Sequence, residues 1–417
     1  MKTFLKILVG LLLAGGLFTF AFYRTPQERA FTKNLKLAQA GDMNAAITVA
    51  ENYLSGTGTK PNTRQALFWY EKAAAADKPQ AAFELYQYYV GQGALEEQEE
   101  FEDRYSEPAP RRSFEDPFDE PRGRGMERPR PAPKRKSSED KELALAYLQS
   151  AAQAGYSPAQ YELGNLYAQG KAMPQHQGQA LFWYMQAAQN GSAPAQAKVK
   201  ATATQDPALS ADTEHFVQTL QSAEQGDAQA MLQTARAYHQ GYPILREDTT
   251  ALTWYQKAWD KSDRTLSQAA FELSDLYYKG EGTEPNNEKA ADLLAQAAEL
   301  KNPQAQYLLG EYAYTDDPAR LEDAFAWFSN AAAQGHAQAQ YMTGFMLLQG
   351  QGTAKSVPLA IRFFEQAAEQ NEASAQYVLG QIYLKGLGVR RSPRQGRMWL
   401  ERAVQNGSEP AKEMLGL

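Results

Sequence analysis

The string AQYVLGQIYLKGLGV, residues 375–389, recurs along the chain with small changes: AQYELGNLYAQG from Ala159, AQYLLGEYAY from Ala305 and AQYMTGFMLLQG from Ala339. Aligned on their first alanine, the copies start at Ala45, Ala81, Ala159, Ala230, Ala269, Ala305, Ala339 and Ala375, with a worn copy near Ala195. The usual step is about 36 residues. A fixed period of this size constrains the fold more than any single motif does. No unit can bury its apolar face alone, so stacked neighbours must bury it, which defines a solenoid.

Within one copy, Ala159, Leu163, Leu166 and Tyr167 fall at i, i+4, i+7 and i+8, one face of a 3.6-residue helix. Gly164 sits beside that stripe, and its missing Cβ lets another element approach. Gly310, Gly344 and Gly380 hold the same place, which Ala50, Ala235 and Ser274 also fill, so small size is the requirement; Tyr86 is the exception. The helix closes on Gly56, Gly170, Gly241, Gly280, Gly350 or Gly386, residues able to enter the left-handed region. A second helix follows, as in ALFWYEKAAAA (66–76) and ALFWYMQAAQN (180–190), where paired aromatics precede small residues and adjacent layers interlock.

On these residues the chain resembles the Sel1-like repeat proteins, a branch of the tetratricopeptide-like α-solenoids, from about residue 31 onward except for one insertion. The resemblance implies an all-α solenoid of helix–turn–helix repeats. It also implies a non-catalytic protein–protein interaction scaffold, frequently in the bacterial cell envelope. Some copies depart from the pattern: Ala313 and Leu347 replace the Tyr, Asp316 replaces the closing Gly, and the stretch near 198–226 is degenerate. That stretch is expected to mark a kink or a boundary between two sub-arrays. The chain divides into an N-terminal segment (1–23), first repeats (24–91), an insertion (92–140) and a longer array (141–417).

The N-terminus has the layout of an export signal. Lys2 and Lys6 precede an uncharged, mostly apolar run over residues 7–23, and Arg24 follows. Thr19 and Ala21 offer a small-x-small cleavage site, yet the run is about long enough to span a bilayer. It is therefore either a cleaved signal or an inner-membrane anchor through residues 4–23, and its length favours the anchor. Either way a periplasmic location is expected. The chain of 417 residues has no cysteine, which removes disulfides, thiolate metal sites and a Cys nucleophile. A net charge of -7 gives no reason to expect a nucleic-acid partner.

Residues 92–140 lose all periodicity: an acidic start gives way to a basic, proline-rich end that includes RPRPAPKRK (128–136). Such text cannot bury a core and is expected to be disordered or polyproline-like. Tyr147 resumes the second-helix pattern, which puts the insertion in the loop between the two helices of one repeat. The basic run reads either as a solvated tether or as a dock for an acidic partner or anionic polymer.

Chemistry is hard to find in the text. The histidines at 176, 215, 239 and 336 lie in different repeats without ligand spacing, and no GxSxG, HExxH or GxxxxGK[ST] string occurs. The glycine strings GTGT and GEGT read as turns. Neither a metal, a cofactor nor a small-molecule substrate is expected.

Positions that vary between copies are free to serve a ligand. Directly after the small residue of the first helix come Glu51, Gln87, Asn165, Arg236, Asp275, Glu311, Phe345 and Gln381. By resemblance to solenoids whose first helices line the concave face, Asn165, Arg236, Asp275, Glu311, Phe345 and Gln381 are candidate partner-binding residues, with Phe345 as an aromatic anchor. The expected partners are envelope proteins or a cell-wall polymer, with membrane contact only through the N-terminal segment. Two alternatives stay open: a periplasmic regulator of a membrane sensor, and an enzyme acting on peptidoglycan or exported polysaccharide.

Overall fold

The computed structural model describes residues 25–95, 138–316 and 318–417; the expectations for residues 1–23 and for most of the insertion lie outside the described residues. The described residues form twenty α-helices, one short 3-10 turn and no strand. They fall into two compact units, Met1–Glu214 and His215–Leu417.

The N-terminal unit opens with α1 (Pro26–Gln39), and three helix pairs follow: α2 (Met43–Ser55) with α3 (Thr63–Ala74), α4 (Pro79–Gly91) with α5 (Ser138–Gln153), and α6 (Ser157–Gln169) with α7 (Gln177–Gln189). The insertion separates the two helices of the second pair. These two helices still pack together: Tyr89 and Tyr147 stack with centroids 6.2 Å apart, and Tyr86, Ala144 and Leu148 share one core cluster. Of the 92–140 stretch, Ala94 is buried in that cluster and Ser138 already opens α5, so helix packing takes in residues at both ends of it.

The degenerate stretch forms α8 (Ala193–Gln205) and an 18-residue α9 (Pro207–Glu224). Only Ala195 of α8 is buried, which is why its apolar stripe is illegible in sequence. The division between the units falls within α9.

The C-terminal unit then pairs α10 (Ala228–Gln240) with α11 (Asp248–Lys261), α12 (Ser267–Lys279) with α13 (Asn287–Glu299), α14 (Pro303–Asp316) with α15 (Leu321–Ala333), α16 (Ala337–Gln349) with α17 (Val357–Glu369), and α18 (Ala373–Lys385) with α19 (Pro393–Gln405). The short α20 (Glu409–Leu415) ends it.

Two devices recur along the array. A ring from the second helix lies on the small residue of the first: a Cβ added at Gly310 would stand 2.7 Å from the Phe328 ring, and one at Gly344 would stand 3.0 Å from Phe364. The second device is polar. Gln160, Gln306, Gln340 and Gln376, the glutamines directly after the repeat's first alanine, are all 5% exposed or less. Gln306 Nε2 donates to the Ala298 carbonyl at 2.9 Å, near the end of the preceding second helix, while its Oε1 accepts from Gln334 Nε2 at 2.8 Å. Gln160 does the same between Ala152 and Asn190. Each clasp adds a second donor to a carbonyl at a helix C-terminus that already accepts the amide three residues on, as Ala298 does from Lys301.

Candidate functional site

The candidate row lies on the first helices, and the structure gives its members different environments. Glu51 and Gln87 are exposed. Asn165 is tied down on both sides, accepting from the Tyr184 hydroxyl at 2.9 Å and donating to Glu162 at 3.2 Å. Gln381 donates to the Tyr377 hydroxyl at 2.7 Å, and exposed Glu311 accepts from the Tyr307 hydroxyl at 2.6 Å. Phe345, expected at an exposed position, is half-buried with its ring 6.3 Å from Tyr341, packed on the cluster built around Phe364 and Leu379. That cluster joins its own repeat to the next.

Only Arg236 and Asp275 are brought together, in a recess of about 170 Å³ that also takes in His239, Tyr255, Phe271 and Glu272. Arg236 on α10 reaches Glu272 on α12, its Nε lying 2.9 Å and 3.0 Å from the two carboxylate oxygens. Gln268 donates to the same carboxylate at 2.7 Å and is itself held by Asn302 at 3.1 Å. Burial, with Glu272 beside it, pushes the Tyr255 hydroxyl well above the usual tyrosine range. The recess is thus lined by a hydrogen-bonded polar network.

A cluster of charges reaches the recess through His239. Arg246 pairs with Asp248 and with Glu281, each at 2.9 Å, and His239 Nδ1 lies 3.2 Å from Asp248. Burial pushes the Asp248 carboxyl up, but the Arg246 hydrogen bond and charge, together with His239, hold it below the ordinary value. Glu281 comes from the loop between α12 and α13, so one repeat's loop is pinned onto the helix pair before it.

One repeat further on, the corresponding hollow is larger and more apolar. A cleft of about 350 Å³ lies between α12, α13 and α14, lined by Phe271, Asp275, Tyr278, Leu294, Leu308 and Tyr312 among others. Tyr278 and Tyr312 are 62% and 54% exposed at its mouth, unusual for large rings. Sequence comparison between copies passed over both, although Tyr312 stands where Leu166, Leu276, Met346 and Ile382 occupy the other copies and are buried. The shorter step from Ala305 to Ala339 was the second signal.

Among the described residues no group of three or more His, Asp and Glu could hold a metal ion, and no helix is long and apolar enough to cross a membrane. Two of the histidines have local duties instead. His176 and His336 precede α7 and α16, and their Nδ1 atoms accept the Gln179 and Ala339 amides at 3.0 Å and 3.2 Å.

Paired helices, glycine-seated rings and a variable first-helix surface define an α-solenoid of the protein-recognition type. A family model described as Sel1 repeat matches eight segments: residues 44–78, 135–156, 157–192, 228–263, 267–302, 303–336, 337–372 and 373–408. The chain belongs to the Sel1 repeat family, whose members are generally non-catalytic scaffolds for protein–protein interaction. Among solved structures it is similar to c5321, a protective antigen present in uropathogenic Escherichia coli strains and displaying an SLR fold, at 25% identity over 91% of this chain and 80% of that one, with a TM-score of 0.43. A Sel1 repeat protein from Oxalobacter formigenes matches at 26% identity over 46% of this chain and 78% of its own, with a TM-score of 0.41. The immunity protein Pa5087 from Pseudomonas aeruginosa matches at 19% identity over 61% of this chain and 83% of its own, with a TM-score of 0.31.

Proposed function

We propose that the chain is an interaction scaffold of the bacterial cell envelope that engages a protein partner through the surface formed by α10, α12 and α14 of its C-terminal unit. The observation that carries this is the open cleft with its two exposed tyrosines, next to a recess that the Arg236–Glu272 network keeps rigid. A preorganised polar rim beside an apolar hollow is the arrangement that anchors a partner side chain. The envelope part of the reading is supported by the charge and hydropathy layout of residues 1–23.

Three measurements test it. A reporter fused after Leu417 should be active only outside the cytoplasm, and cytoplasmic activity alone would overturn the location. A photo-crosslinking residue placed at Tyr312 in the full chain should give a discrete protein adduct in cells, one that the same residue at Lys412 on α20 does not give. Adducts of equal pattern at both positions would overturn the surface assignment. Turnover of purified peptidoglycan by the full chain would replace the scaffold with an enzyme.

A further inference from the structure

The cleft between α12, α13 and α14 has two physical causes. The first is a missing ring. The eighth residue of the second helix is Tyr70 in α3, Tyr184 in α7, Tyr255 in α11, Phe328 in α15 and Phe364 in α17, but Leu294 in α13. Leu400 of α19 and Leu148 of α5 are also smaller, yet Gly380 lies directly against the first and Tyr86 shares a core cluster with the second; Leu294 and Ser274 both line the cleft.

The second cause is a short connection. In other repeats the loop between the paired helices rests on the first residue of the preceding second helix. A Cβ at Gly282 would overlap the Asp248 carbonyl, one at Gly352 the Leu321 carbonyl, and one at Gly388 the Val357 side chain. Asp248, Leu321 and Val357 are accordingly half-buried. The matching residue of α13 is Asn287, which is exposed and lines the cleft. The connection that would cover it, from α14 to α15, contains no glycine, and the repeat around it is matched over 303–336 where its neighbours span 267–302 and 337–372.

The polar network that lines the neighbouring recess is replaced here by apolar groups. Leu308 stands where Glu272 does in the α10–α12 recess, Tyr278 where His239 does, and Tyr312 where Leu276 does. The surrounding charge is acidic. Asp275 lines the cleft, and exposed Glu288 and Glu311 stand beside lining residues in helix register. The nearby lysines are engaged: Lys279 on Asp275 at 2.6 Å, and Lys289 on the Tyr277 hydroxyl at 2.7 Å.

We propose that this cleft is the anchor pocket for an aromatic side chain presented by a basic segment of a partner protein, the partner's ring taking the place of the one that Leu294 lacks. The proposal rests on the scaffold reading above and names the chemistry of what that scaffold holds. The ring would sit between Tyr278 and Tyr312 on Leu294 and Leu308. A flanking Lys or Arg would meet Glu288 and Glu311, both exposed and neither held by a lysine, and the exposed tyrosine faces would favour a cation as well.

The probes are three synthetic pentapeptides, acetyl-Gly-Lys-Phe-Arg-Gly-amide, its Phe→Ala form and its form with both basic residues changed to Glu, each mixed with the full-length chain. Saturation-transfer NMR should show transfer to the Phe ring protons of the first peptide, falling about tenfold or more for the other two. Leu294→Phe, which returns the ring from inside, should abolish that transfer while keeping helix content, and Tyr312→Ser, a change at an exposed position, should weaken it without affecting folding. Equal transfer to the Ala peptide, preference for the acidic one, or undiminished transfer with Leu294→Phe would each overturn the proposal. So would concentration-dependent dimerisation of the native chain that Leu294→Phe removes, since a second copy would then be the occupant. In cells, a partner crosslinked through Tyr312 and recovered equally from the Leu294→Phe chain would sink the pocket but leave the scaffold standing. A peptide result as expected with no cellular adduct would sink the scaffold surface but not the pocket.

Discussion

Asn406 donates to Gln376 Oε1 at 3.0 Å across thirty residues of sequence, while Gln376 Nε2 donates to the Ala368 carbonyl at 2.9 Å. One fully buried side chain thereby ties three helix ends: those of α17 and α19, and its own helix α18. Gln160, Gln306 and Gln340 repeat the arrangement, so a polar clasp runs beside the apolar seam at every step where the glutamine is kept.

Gln376→Met keeps the length of this side chain and removes its hydrogen bonds. It takes one of two donors from the Ala368 carbonyl, which still accepts the Asn371 amide, and one of two acceptors from Asn406, which still donates to the Arg402 carbonyl, so the loss is about 0.5–1.5 kcal/mol. The urea midpoint of the full chain should fall with helix content unchanged at zero denaturant. An unchanged midpoint would show that water replaces the clasp at no cost.

His336 gives the C-terminal unit an acid-sensitive joint. Burial lowers its pKa from 6.5, against a smaller upward pull from Glu311, and its Nδ1 must stay unprotonated to accept the Ala339 amide. Because the folded value lies below the unfolded one, the unfolded chain takes up the proton first on acidification. Stability is therefore unaffected by this group well above pH 6.5 and declines as pH falls below it. His336→Asn retains a capping acceptor and should flatten that acid limb while changing stability at pH 8 by about 1 kcal/mol or less. Melting curves at pH 8, 6.5 and 5.5 check it.

Gly352 has φ +60°, and a Cβ there would overlap the Leu321 carbonyl one repeat back. Gly352→Ala combines strain with a backbone clash and should cost about 1–3 kcal/mol, read as a lowered thermal midpoint. Gly335→Ala offers a contrast, since its φ is +89° but nothing lies within 4 Å of the added Cβ. The difference between the two variants measures the loop-on-helix contact that the α13 N-terminus lacks.

Replacing residues 96–137 by a short Gly-Ser linker should leave helix content and melting almost unchanged. The α4–α5 pair already closes through Tyr89, Tyr147 and Leu148, and the closure entropy of a loop varies only slowly with its length. Loss of cooperative unfolding in the shortened chain would assign the insertion a structural role.

The repeat period, the paired helices, the closing glycines and the small residue under each ring were legible along the chain because they are local: spacing along one helix decides which face is buried. Even the place where the array falters could be read, near residue 198, as a failure of that spacing. Side-chain fates that depend on a neighbouring repeat were not legible. Phe345 stands at a variable position, yet Tyr341 and the Phe364 cluster half-bury it. Gln376 reads as an ordinary polar residue until Ala368 and Asn406 meet it. The cleft is the clearest case, because Leu294 is unremarkable by itself, and only when α12, α13 and α14 enclose it beside a shortened connection does a missing ring become an opening. Local periodicity sets the helices; where three of them converge, the volume and charge left over are properties of the assembly, which no single stretch of sequence contains.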